Sequence, residues 1–130
     1  MHLDFTKFKG DYTIYRFGKD SPIPDWINDS EFYSVTRTRE ELSIVCEHTA
    51  IKTDPDLKID KHWRIIKING TLDLSLVGII ADISTLLKVN KISIFIISTF
   101  ETDYFLIKDH NIDEAITILK NNGHTVSIEK

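Results

Sequence analysis

The chain has 130 residues, 42% of them hydrophobic and 28% charged, the balance of a soluble protein of one ordinary domain or two very small ones. Its net charge of −4, without a basic run, argues against a nucleic-acid partner, because phosphate backbones are held by clustered Lys and Arg. No apolar run reaches the ~20 residues that span a bilayer, and the opening MHLDFTKFKG has no signal-peptide core, so a cytoplasmic location without a membrane partner is expected.

In chain order, LDFTKFKG and YTIYRF read as two neighbouring strands. SPIPDWINDS holds only a short helix, because Pro22 and Pro24 restrict its start. EFYSVTRT and LSIVCEH then form a hairpin. KTDPDLKIDK (52–61) is polar and contains a proline, and reads as a linker, part of which could add an edge strand. HWRIIKIN (62–69) is a strand too apolar for a fully exposed edge. Leu76, Ile79, Ile80, Ile83, Leu86 and Leu87 recur at helical spacing, with Asp73 or Ser75 as N-cap. KISIFIIS (91–98) has the pattern of a central strand. DYFLIK (103–108) pairs back through a short turn. Asn111 and Glu114 have capping-box spacing before a second helix, with Ile112, Ala115, Ile116 and Leu119 as its apolar face and Gly123 after its end. HTVSIE (124–129) is the last strand. From residue 62 onward the order is β-α-β-β-α-β, a ferredoxin-like plait of the α+β class.

The sequence also repeats. KFKG (7–10) precedes KING (67–70) by sixty residues, and VTRTREELSIV (35–45) matches ISTFETDYFLI (97–107) without a gap at an offset of 62. At that offset Thr36 falls on Ser98 and Glu41 on Asp103. Two copies follow: an abbreviated module at 1–58 and a complete one at 59–130. Units this small are marginal alone, so side-by-side packing and a homodimer are expected.

Little else carries chemistry. Cys46 is the only cysteine, which excludes an intrachain disulfide and any zinc site needing two thiolates, and its apolar setting reads as packing. His2, His48, His62, His110 and His124 show no metal-ligand spacing, and the five glycines form no phosphate loop. Neither a metal, a cofactor nor catalysis is expected.

YSVTRTREELSIVCE, and the stretch from WRIIKING through ISIFIISTFETDYFLI to NNGH, resemble the tandem ACT-domain proteins related to the regulatory segment of aspartokinases. The cytosolic arginine sensors of animals contain the same paired unit. The resemblance implies two ACT modules and non-catalytic sensing of a small molecule, typically an amino acid. It places the ligand where the loop before the first helix meets the neighbouring module's equivalent or a strand end. Matched residue by residue, this points to Ser75, Leu76, Val77, Gly78 and Ile79, and to Ser98, Thr99, Phe100 and Asp103. An arginine-sensing pocket carries an acid in the pre-helix loop, where this chain has Leu76 and Val77, so the resemblance does not extend to guanidinium recognition.

These residue types suit an amino acid. The first turn of a helix offers unpaired N–H groups and a positive dipole end to a carboxylate. Gly78 would let a ligand approach the backbone, or let the helix pack closely on the sheet. Asp103 would accept from an ammonium beside the Ser98 and Thr99 hydroxyls, or all three would serve as turn residues. Phe100 reads as packing against the sister module, with a lid over the ligand as the alternative. The first-copy counterparts Thr36, Arg37, Arg39, Glu40 and Glu41 read as a solvated charged turn. A ligand-free scaffold, dimerising through a sheet edge, is the competing reading.

Overall fold

The computed structural model describes residues 2–49, 57–70 and 78–129. In chain order its elements are β1 (Asp4–Lys7), β2 (Tyr12–Gly18), a 3-10 helix (Asp25–Asp29), β3 (Tyr33–Arg37), β4 (Glu41–Glu47), β5 (Lys58–Ile68), α1 (Ile79–Val89), β6 (Ile94–Ser98), β7 (Asp103–Lys108), α2 (Asp109–Asn121) and β8 (Thr125–Ile128). They fall into two compact units, Gly10–Trp63 on one side and Met1–Lys9 with Arg64–Lys130 on the other. This division differs from the expected one between residues 58 and 59. The first nine residues join the C-terminal part, and β5 is divided between the units at Trp63.

In the unit Gly10–Trp63 the strand order is β3-β4-β2, followed by the first part of β5. Alternation along β2 and β4 sends Tyr15, Phe17, Leu42, Ile44 and Cys46 to one face, where Ile27 of the 3-10 helix packs on them. Pro24 stands in extended conformation just before that helix, in keeping with the restriction expected from the prolines. The Tyr15 hydroxyl donates to the carbonyl of Thr49 at 2.9 Å. The β2–β5 register shifts between Tyr12 and Ile14, and opposite the shift His62 takes φ 69°, the signature of a bulge. Lys58–Lys61, expected in a linker, therefore belong to β5; residues 52–56 lie outside the described set.

The other unit carries the β-α-β-β-α-β order expected, as β5, α1, β6, β7, α2 and β8. Its sheet order is β8-β1-β5-β7-β6. The N-terminal β1 was expected in the first module. Instead it lies between β5, to which it is antiparallel, and β8, to which it is parallel. Phe5 of β1 is fully buried among Ile66 and Ile68 of β5, Ile83 and Leu87 of α1, Phe105 and Ile107 of β7, and Ile112, Ala115 and Leu119 of α2. On the opposite face of β1, Asp4 accepts hydrogen bonds from the Thr125 hydroxyl at 2.5 Å and the Asn69 amide at 3.0 Å. The first of these, then the second, lower its pKa.

Three further expectations change. Among the described residues β6 pairs only with β7, so it is an edge strand; it is also shorter than 91–98, and Phe95 is 36% exposed. Helix α1 begins at Ile79 after Gly78, with no side-chain cap, and Asp73 and Ser75 lie outside the described residues. Helix α2 begins at Asp109 after the extended Lys108, so Asn111 and Glu114 sit inside it and no capping box forms. Both helices end in the same way. The N–H of Ile92 reaches the Leu87 carbonyl and that of Lys91 the Lys88 carbonyl, while His124 and Gly123 repeat this onto Leu119 and Lys120. The left-handed residue is Gly123 in one helix end and Lys91 in the other.

Candidate functional site

Thr99 and Thr102 tie down the β6–β7 turn. Thr99 donates its N–H (2.9 Å) and its hydroxyl (3.2 Å) to the Thr102 carbonyl, and its hydroxyl oxygen accepts from the Thr102 N–H at 3.4 Å. The buried Thr102 hydroxyl donates to the carbonyl of Ile68 at 2.8 Å, which fastens the turn to the end of β5. Beneath the turn lies a cleft of about 290 Å³. Thr99, Phe100, Glu101 and Thr102 form its turn side, and Lys67, Gly70 and Tyr104 its strand side. Lys67 and Tyr104 alternate with Ile66, Ile68 and Phe105, which are buried against the helices, so the cleft opens on the sheet face turned away from α1 and α2.

Of the residues expected to bind ligand, Thr99 and Phe100 line this cleft. Phe100, expected to pack, is 84% exposed. Ser98 and Asp103 are a cross-strand pair, and the Ser98 hydroxyl donates to the Asp103 carboxylate at 2.5 Å. Asp103 is only 8% exposed and shares a face with Phe105 and Ile107, the helix side of the sheet. Its carboxylate is thus engaged within the chain by the Ser98 hydroxyl. Gly78 has φ 91°, and a Cβ there would meet nothing within 4 Å. The glycine serves the left-handed conformation, not a close approach of helix to sheet. Ile79 is buried in the core. Ser75, Leu76 and Val77 lie outside the described residues. Lys67, Gly70, Glu101, Thr102 and Tyr104 were not singled out; KING and FET, which carry four of them, were read as a strand end and a turn.

The β3–β4 turn has the same bonds as the β6–β7 turn. The Thr38 N–H donates to the Glu41 carbonyl at 2.9 Å, its hydroxyl does so at 3.4 Å, and its oxygen accepts from the Glu41 N–H at 3.1 Å. Thr38 therefore corresponds to Thr99 and Glu41 to Thr102, an offset of 61, one less than the ungapped match. The core faces agree, since 61 places Ile44 on Phe105 and Cys46 on Ile107, each buried in its own unit. A slip of one residue would exchange the faces. Hence Thr36 is not the counterpart of Ser98, nor Glu41 that of Asp103. Arg37, expected to be a solvated charge, donates to the carbonyls of Lys19 and Ser21, the latter at 2.6 Å.

Cys46 is buried, and burial first, the Glu47 charge second, push its thiol up to about 11, far from the range of a reactive thiolate. Among the described residues no group of three or more His, Cys, Asp or Glu could hold a metal ion. None of the described helices is long and apolar enough to cross a membrane.

Comparison with known proteins gives these features a context. An ACT domain profile matches residues 58–121, and a second family, described as an N-terminal domain, matches residues 10–54. No curated protein sequence matches the chain. Protein Atu0741 from Agobacterium tumefaciens, a crystal structure, is 32% identical, with a TM-score of 0.89 over 100% of this chain and 96% of that one. The aspartate kinase of Clostridium acetobutylicum is similar in fold, with a TM-score of 0.68 at 15% identity over 92% of this chain and 34% of that one. So is the regulatory subunit of aspartate kinase from Thermus thermophilus, with a TM-score of 0.58 at 11% identity over 86% of this chain and 92% of that one. The last two likenesses concern fold alone. Residues 58–121 thus match an ACT domain, and the chain is similar to Atu0741 over its whole length.

Proposed function

We propose that the chain is a non-catalytic regulatory module that binds a small molecule, an amino acid, in the cleft between the β6–β7 turn and the end of β5, and that it works as a homodimer. The cleft carries the reading. Its volume of about 290 Å³ lies at the lower bound of small-molecule pockets, about 300–1,000 Å³, a scale that suits a single metabolite. Its lining offers what an amino acid needs: an ammonium at Lys67 for the carboxylate, a carboxylate at Glu101 for the ammonium, and the rings of Phe100 and Tyr104 for a side chain. Of the residues expected from the family resemblance, Thr99 and Phe100 belong to this site, while Ser98 and Asp103 hold the turn that shapes it. Likeness in fold to aspartate kinase regulatory chains supports the regulatory part of the reading. The matching turns of the two hairpins support an origin by duplication, with Gly10–Trp63 descended from a second ACT module.

Among the described residues β6 pairs only with β7, and its apolar run Ile94–Ile97 holds no charged residue, which supports dimerisation and also the scaffold reading. A ligand would act through its differential affinity for two states, about 1–3 kcal/mol. Thermal-shift measurements with each of the twenty amino acids decide between sensor and scaffold. A true ligand at a hundredfold excess over its Kd stabilises by about 2.7 kcal/mol, and Lys67→Gln removes that shift while leaving the unliganded Tm in place. A flat panel favours the scaffold. Light scattering on a sizing column gives the subunit count.

A further inference from the structure

The hairpin turn occurs twice, and each time a cleft lies beside it. In the unit Gly10–Trp63 the cleft is about 440 Å³ and is lined by Arg16, Gly18, Lys19, Asp20, Ser21 and Glu40. At the offset of 61 Glu40 is the counterpart of Glu101, the third residue of a turn whose threonine makes the same bonds in both hairpins. The strand next to the hairpin is β2 in one unit and β5 in the other. Arg16 of β2 lies between the core residues Tyr15 and Phe17, as Lys67 of β5 lies between Ile66 and Ile68. Alternation therefore turns both cations to the face away from their own core. Each cleft joins a cation on the third strand to a glutamate on the turn.

We propose that the Arg16–Glu40 cleft is a second amino-acid site, so that one chain binds two ligand molecules; this rests on the reading of the Lys67–Glu101 cleft given above. Arg16 receives the ligand carboxylate and Glu40 its ammonium. The Arg16 guanidinium is already positioned, since one of its nitrogens donates to the Glu40 carbonyl at 3.1 Å, and its remaining N–H groups supply the planar fork that a carboxylate matches. The loop that lines the cleft is held by Arg37, whose two guanidinium nitrogens donate to the carbonyls of Lys19 and Ser21. The two clefts differ in what surrounds the charge pair. Phe100 and Tyr104 at the first suit an apolar side chain, whereas the second has no aromatic lining among the described residues and adds Lys19, Asp20 and Ser21. It therefore takes an amino acid with a polar side chain.

Amide chemical-shift mapping on the full chain, titrated with each of the twenty amino acids in turn, tests this. Polar amino acids are expected to move the amides of 18–21 and 38–41, and apolar ones those of 99–104. Arg16→Gln should weaken the first set of responses at least tenfold without touching the second, and Lys67→Gln should do the reverse. Because Arg16 also bonds to backbone, Glu40→Gln serves as the second variant; it keeps the carbonyl that Arg16 holds and removes only the carboxylate, and a loss of at least tenfold is expected there too. Responses confined to 99–104 would overturn the second site and leave the first reading standing. Silence at both clusters would overturn both.

Discussion

His124 sits where the end of α2 meets the start of the chain. Its Nδ1 accepts the Leu3 N–H at 3.0 Å, and its ring meets Phe5 edge to face. A nitrogen that accepts a hydrogen bond carries no proton, so the ring is neutral with its proton on Nε2. Burial first, and the nearby His2 second, hold its pKa below the ordinary 6.5. The sign follows: between the folded and unfolded pKa values the unfolded chain binds more protons, so this contribution is complete above about pH 6.5 and is lost as pH falls through the folded value. The urea midpoint should therefore drop between pH 7.5 and 5, and His124→Gln should flatten that dependence. Parallel slopes for the two proteins would remove His124 from the account. Ser98 makes a different contribution. Ser98→Ala leaves the buried Asp103 carboxylate without its donor and should cost about 1–3 kcal/mol in urea unfolding, with little effect on ligand affinity. The opposite outcome would return Asp103 to the binding site.

At the scale of elements, the two helix ends make a natural comparison, because one geometry is occupied by two residue types. Gly123 adopts φ 88° at little cost, whereas Lys91 holds φ 62° with a Cβ. Lys91→Gly should raise stability by about 0.5–1 kcal/mol, seen as a rise of a few degrees in Tm. A fall would show that the Lys91 side chain makes a contact worth more than the strain. Element order and helix faces were legible because periodicity records burial: Ile83, Leu87, Ile112, Ala115 and Leu119 all lie in the core, as their spacing expects. Helix starts were less legible. Neither helix uses a side-chain cap, so the polar residues that usually mark a start were misleading. The hairpin repeat was visible in sequence but one residue out of register. Apolar pairs such as Ile44-Val45 and Leu106-Ile107 align equally well on either face, and the turn hydrogen bonds and the buried faces decide. The cleft was half legible for a related reason. Thr99 and Phe100 lay in a stretch already singled out, while Lys67 and Glu101 are single charges that become a pair only when β5 meets the turn.

For the molecule as a whole, the decisive residues are the four of β1. Asp-Phe-Thr-Lys carries nothing that names the sheet it will join, and its partner β8 stands at the far end of the chain. The expected complete module at 59–130 lacks this strand. Without it β8 loses the only strand with which it pairs among the described residues, and the core loses Phe5. A fragment of residues 59–130 should therefore show no cooperative thermal transition, and Phe5→Ala in the full chain should cost about 3–5 kcal/mol. Cooperative melting of the fragment would restore the boundary near residue 58.

Because β1 must wait for β8, synthesis imposes a timetable. Residues 10–63 are contiguous and can condense as soon as they leave the ribosome, whereas β1 stays unpaired with its parallel neighbour until Thr125–Ile128 have been made. A premature stop after β5 and before Thr125 would therefore release a nascent product in which β1 can still meet β5 but has one edge of its ladder left open.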